Sequence, residues 1–203
     1  MDGRRFVSPK LRCCALGPAL AMFAAMAAEV LPIVRAGDPV LRTPARDVSI
    51  ETLRTPEFQQ LIARMIATMR AAPGVGLAAP QIGVSSRLIV LEDRAEFLAH
   101  LDPEIVAERE RVAFPVKVFV NPVLTVVGDE RATFYEGCLS VPGYSALVKR
   151  HREVEVSGLD EQGTMQRWRV KGWPARILQH EVDHIDGNLY VDRMLSRSFT
   201  HVG

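Results

Sequence analysis

The chain has 203 residues, 48% of them hydrophobic and 24% charged, with 25 basic against 24 acidic side chains and a net charge of +1. This length accommodates one domain with a real core, and the even charge balance excludes a surface built to neutralise a nucleic acid backbone. Cys13, Cys14 and Cys138 form an odd, unevenly spaced set, so no disulfide framework is implied and a reducing compartment suits the chain.

Residues 1–28 differ in composition from all that follows. Arg4, Arg5, Lys10 and Arg12 precede an alanine-rich apolar run over residues 13–28, interrupted by Gly17-Pro18. Three readings are open: a secretory signal cut near Ala25-Met26-Ala27, an organellar transit segment, or residues upstream of a working start at Met22 or Met26. The run is too short for a membrane span.

From Val30 the pattern is that of folded protein. Gly37-Asp38-Pro39 signals a turn. Thr55-Pro56-Glu57 opens a helix with a capping hydroxyl, a first-turn proline and an acid near the positive end of the dipole. Phe58, Leu61, Ile62, Met65, Ile66 and Met69 then recur at helical spacing as one buried stripe, and Pro73-Gly74 stops it. The segment 74–83 is dense in small residues that let another backbone come close. It matches neither nucleotide-loop pattern, and with one amide, Gln81, it suits a peptide better than a phosphate.

Residues 87–91 form a β-type run. Residues 93–115 are charged and contain Pro103 and Pro115, as expected of a surface excursion with some helix. Strands are expected at 116–120, 123–127 and 131–135, with Asn121-Pro122 dividing the first two, and again at 146–149, 153–157 and 165–170 after Pro142-Gly143. Such short separations imply antiparallel pairing. Val154 and Val156, and Trp168 and Val170, alternate with charged residues, so these later strands have one wet face.

Two landmarks carry chemistry. Gln179-His180-Glu181-Val182-Asp183-His184 contains H-E-x-x-H. Four residues advance a helix by about 400°, so His180 and His184 share a face and can grip one ion, while Glu181 sits at its edge, where a carboxylate reaches a water without binding the metal. Gly172-Trp173-Pro174 begins this helix, Trp173, Ile177, Leu178, Val182 and Ile185 give it an apolar stripe, and Gly187 ends it. The alternative is a pair of satisfied core imidazoles. Against it stands the second landmark, Glu136-Gly137-Cys138-Leu139-Ser140: a thiolate added to two imidazoles makes three ligands and leaves a fourth position for water.

Gly74-Val75-Gly76-Leu77-Ala78-Ala79-Pro80-Gln81, Glu136-Gly137-Cys138-Leu139-Ser140 and Gln179-His180-Glu181-Val182-Asp183-His184 resemble, in order, the three signature motifs of peptide deformylase, and the likeness extends from about Val30 to Asp192. The resemblance implies hydrolysis of the formyl group from the N-terminal methionine of nascent formylated polypeptides, releasing formate. It implies an α+β fold, mostly antiparallel sheets packed around the C-terminal metal-binding helix with one further long helix near the N-terminus. It assigns Cys138, His180 and His184 as ligands of one ferrous ion, with zinc as the substitute, Glu181 as the base, and Gln81 with the Leu139 N–H as donors to the developing oxyanion. Gly74, Val75, Gly76 and Leu77 would pair with the substrate main chain. Val75, Gly76, Trp173 and Ile177 would line the methionine pocket, and Glu136, counted with the substrate-binding residues, would hold the Cys138 loop through hydrogen bonds.

Two positions depart from the pattern: Arg176 stands where an apolar residue is frequent, and Ser145 where some members carry arginine. Asp183 is either a partner of Arg150 or a solvated helix charge. Ferrous chemistry on formylated chains places the protein in a bacterial cytoplasm or, if residues 1–28 are a transit segment, in a mitochondrion or plastid; export would separate it from its substrate. The extension 1–28 is therefore read as an upstream or transit segment, and 29–203 as the catalytic domain. A transient visit to the ribosome is implied, no membrane partner is, and monomer and homodimer are both open. One rival is a zinc endopeptidase, whose third ligand would follow His184; the H-x-x-G-x-x-H spacing ends in Tyr190. The other is an inactive binder of peptide N-termini.

Overall fold

The uninterrupted apolar run Leu88-Ile89-Val90-Leu91 has no residue suited to a wet face. In the computed structural model, which describes residues 29–202, all four side chains are fully buried in an inner strand of a sheet covered on both sides. Full burial of each contributes roughly 1.5–3 kcal/mol. The readings of residues 1–28 lie outside the described residues.

In chain order the elements are α1 (Ile50–Leu53), α2 (Pro56–Ala71), β1 (Gly76–Ala78), β2 (Leu88–Asp93), α3 (Ala95–Ala99), α4 (Pro103–Glu108), β3 (Phe114–Val126), β4 (Arg131–Cys138), β5 (Val141–His151), β6 (Glu153–Leu159), β7 (Met165–Lys171), α5 (Trp173–Ile185) and β8 (Thr200–His201). An antiparallel five-stranded sheet has the order β1-β2-β3-β6-β7, and a three-stranded one the order β4-β5-β8. The α+β class expected from the sequence is the one observed.

Strand alternation sends neighbouring side chains to opposite faces. Leu88 and Val90 therefore pack with Phe58, Ile62, Met65 and Met69 of α2, whereas Ile89 and Leu91 pack with Ala175, Ile177, Leu178 and Ile185 of α5. Helix α2 starts as its sequence requires, the Thr55 hydroxyl accepting from the Phe58 N–H at 3.2 Å with Pro56 in the first turn. Helix α5 begins after Gly172 and stops before Gly187, also as expected. β6 and β7 each keep one wetter face.

Two expectations are corrected. Asn121-Pro122 does not divide two strands: β3 runs through it with a register shift between Val120 and Val123. Asn121 takes φ 51°, its N–H donates to the Arg87 carbonyl at 2.7 Å, and its side chain bonds both the N–H and the C=O of Val48, so tertiary hydrogen bonds keep the bulge in the sheet. Pro142-Gly143 lies inside β5, where the Gly143 carbonyl accepts from Val202. Short strands β1 and β8 carry too few residues to show a period of two. Among the described residues no helix is long and apolar enough to cross a membrane.

Candidate metal centre and active site

β4 carries Cys138 to its end, and the two-residue turn Leu139-Ser140 returns the chain into β5, with Cys138 paired to Val141. Across the gap, α5 projects His180 and His184 from one face, their ring centres 5.0 Å apart. The Cys138 Sγ lies 3.2 Å from His184 Nε2, and one ligand atom from each of the three residues falls within 4.8 Å of the others. Two elements distant in sequence thus meet at a point sized for one ion. Among the described residues no further His, Cys, Asp or Glu beyond His184 joins this cluster; Tyr190 stacks its ring on His180 and donates its hydroxyl to the Tyr144 carbonyl at 3.1 Å.

The donor set suits a divalent transition metal. His180 Nδ1 is 3.0 Å from Glu136 Oε2, which fixes the tautomer and leaves Nε2 for the ion. Burial works to lower the His180 pKa, yet its hydrogen bonds with Cys138 and Glu136 outweigh burial and raise it well above the usual range. Cys138 and Glu136 thus favour positive charge on the imidazole that lies between them, and a bound cation answers the same demand. Thiolate and imidazole serve iron or zinc alike.

Glu181 is 4% exposed and its Oε2 has no hydrogen-bond partner. Burial, opposed by His180, pushes its pKa up to about 7, near the range in which a general base both takes and returns a proton. Gly76 makes room for it: a Cβ there would lie 2.3 Å from Glu181 Oε1. Gly76→Ala is therefore expected to keep the fold and the metal but to lower turnover about 10²-fold, the scale of a catalytic group displaced by roughly 1 Å. Steady-state rates beside metal analysis check this, and an unimpaired variant would contradict the crowding.

Gln81 is buried, with Oε1 accepting from the Ala78 N–H at 2.9 Å. That bond orients Nε2 toward Ser140 Oγ at 3.4 Å and Cys138 Sγ at 3.6 Å. A cavity of about 580 Å³ opens onto these groups, bounded by Gly74, Val75 and Gly76 on one side and by Cys138 and Leu139 on the other. Helix α5 supplies its third wall through Trp173, Ile177, His180 and Glu181. Leu77 differs from the rest: its side chain is fully buried in the α2 cluster, so only its main chain is left to face a ligand.

Glu136 also lines the cavity, and its carboxylate takes Arg150 through two bonds of 2.9 Å, Arg176 at 2.6 Å and His180, so its hydrogen bonds brace the histidine. Burial works to raise its pKa, but His180 and Arg150 outweigh that and hold it below the usual carboxylate range. Asp183 is 7% exposed and pairs with Arg150 at 2.5 Å and with Arg193, which decides between its two readings in favour of Arg150. Arg176 also donates to the Val148 and Ala132 carbonyls. Its part in this network was not read from sequence, although a charged residue on the apolar side of α5 is a signal that a buried carboxylate waits for it. Ser145 is buried in β5 opposite Gly137 and Thr200.

The sequence model of the polypeptide deformylase family matches residues 30–199. A chloroplastic peptide deformylase 1A from Solanum lycopersicum is 49% identical over 170 residues, covering 84% of this chain and 61% of the relative. The mitochondrial peptide deformylase of Homo sapiens is 44% identical over 170 residues, 84% of this chain and 70% of its own. The chain thus spans less than two thirds of the tomato relative. Among solved structures, a class I type b peptide deformylase from Acinetobacter baumannii with Met-Ala-Ser bound superposes with a TM-score of 0.73 at 37% identity, covering 82% of this chain and 99% of that one. With its sulfur and two imidazoles gathered at one point and this likeness along most of its length, the chain belongs to the peptide deformylase family.

Proposed function

We propose that this protein hydrolyses the formyl group from the N-terminal formylmethionine of newly made polypeptides, releasing formate, with one ferrous ion held by Cys138, His180 and His184. The observation that carries the reading is the convergence of those three ligand atoms within 4.8 Å beside a buried, unpartnered Glu181 oxygen. When bound, the metal supplies the Lewis acidity that makes water a nucleophile at neutral pH and polarises the formyl oxygen. Glu181 takes the proton of the attacking water at its free carboxylate oxygen and delivers it to the leaving amine nitrogen. Gln81 Nε2 and the Leu139 N–H donate to the oxygen as it gains charge, each worth on the order of 3 kcal/mol.

The substrate main chain is held by strand addition. β1 is the first strand of its sheet, so its outer edge pairs with no other strand among the described residues. Gly74, Val75, Gly76 and the backbone of Leu77 offer that edge to an extended peptide. The methionine side chain then enters between Val75, Ile177 and Trp173. Formate measured on incubation with formyl-Met-Ala-Ser tests the reading; a chain that binds the peptide and releases none would be the inactive binder instead.

The catalytic domain is residues 29–203, and the working place is a bacterial cytoplasm, or an organelle if residues 1–28 address one. A chain begun at Met26 is expected to keep its melting temperature and its rate. A collapse of either would give the extension a structural role. Ribosome contact is transient on this reading, and the emerging chain is the partner recognised.

A further inference from the structure

Residues 93–115 read as a charged surface detour, yet part of that detour is built into the wall of the cavity. Gly172, the residue before α5, takes φ +67°, and a Cβ on it would lie 2.4 Å from Glu110 Cβ and 2.9 Å from the Arg109 carbonyl. Backbone thus sits directly on backbone. Glu110 locks the contact from both flanks, its carboxylate pairing with Arg152 at 2.7 Å and Lys171 at 3.3 Å.

Next to this lock stands Trp173. The Arg109 guanidinium lies 4.7 Å from the indole centre and 5.8 Å from the Phe134 ring, and Phe134 meets Trp173 edge-on at 6.4 Å. Among the described residues Arg109 forms no ion pair, so its principal partner is the aromatic face. Arg111 lies 5.7 Å from the same indole, lines the cavity, and is fixed by two bonds of 2.7 and 2.9 Å to the fully buried Asp93. A half-desolvated guanidinium over an indole is attracted by the ring quadrupole. The backbone that carries it is held against Gly172, so the guanidinium approaches the ring from a fixed base.

The geometry points to Arg109 and Arg111 as positioning residues that hold Trp173 in place and so set the side-chain selectivity of the methionine pocket. This rests on the deformylase reading above. Trp173 precedes His180 by seven residues, about 10 Å along the helix. A displaced indole therefore changes the width of the pocket while the ligand atoms stay where they are. The consequence is an effect on KM and on substrate choice, with kcat and metal content unmoved.

The test uses the full metal-loaded chain and the substrates formyl-Met-Ala-Ser, formyl-Ala-Ala-Ser and formyl-Phe-Ala-Ser. Arg109→Met is expected to raise KM for the methionine peptide about tenfold, leave kcat within about twofold and shrink the preference for methionine by about tenfold. Arg109→Lys, which keeps a cation, recovers most of both. In a Trp168→Phe background, where Trp173 is the remaining tryptophan, its emission shifts in the methionine variant and returns in the lysine one. Unchanged KM and preference, or an equal fall in kcat for all three peptides, overturns the assignment. Should Arg109→Met not fold, Arg109→Gln, which also removes the cation but keeps a polar side chain, is read by the same criteria. A parent chain that releases formate from none of the peptides sinks the deformylase reading instead, and the emission shift then decides the Arg109–Trp173 contact alone.

Discussion

Replacing Glu181 with glutamine is expected to lower turnover about 10²–10⁴-fold while one metal per chain is retained. Glutamine preserves the shape and one hydrogen-bonding oxygen but has no basic lone pair to receive a proton. The space opened by Gly76 and the absence of a partner on Oε2 mean that this carboxylate has nothing else to hold. Its loss therefore falls on the chemical step. Metal content is unmoved because the ligand atoms come from Cys138, His180 and His184. Rates of formate release with metal analysis on the same sample settle it. A variant within about tenfold of the parent, a deficit of only about 1.4 kcal/mol, would remove Glu181 from the role of base.

Cys138→Ala is expected to abolish both metal retention and formate release. Two imidazoles on one helical turn remain, but the thiolate brings the negative charge and comes from the other side of the cavity, at the end of β4. Without it the pair grips an ion from one side only, and the favourable charge between sulfur and His180 is gone. Fold loss is not the expected cause, since Cys138 is half-buried beside a small cluster of Ala146, Val148 and Tyr190, apart from the two that flank the main sheet. Circular dichroism and metal counts on the variant separate the two. Full metal retention would be the behaviour of an endopeptidase-like site with a different third ligand.

The metal site was legible because its residues obey local rules. His180 and His184 are spaced by one helical turn, and Gly172-Trp173-Pro174 and Gly187 mark the limits of α5. The helix α2 was legible for the same reason, its stripe and Thr55 cap being periodic and adjacent. What stayed hidden depends on pairs far apart in the chain. Asn121 continues β3 because Val48 satisfies its side chain from 73 residues away. Glu136 turns to His180 because Arg150 and Arg176 arrive from β5 and α5 to balance it. Arg109 looked like one charge in a polar stretch, and its indole partner is 64 residues downstream. Leu77 faces the core because β1 alternates, a period that three residues are too few to display.

Anaerobic purification followed by iron and zinc counts per chain, with formate release from formyl-Met-Ala-Ser before and after exposure to air, tests the proposed centre most directly. The expected result is close to one iron per chain with rapid release, and loss of both on oxidation. A chain that releases formate at full rate after complete removal of metal would contradict a centre built from Cys138, His180 and His184.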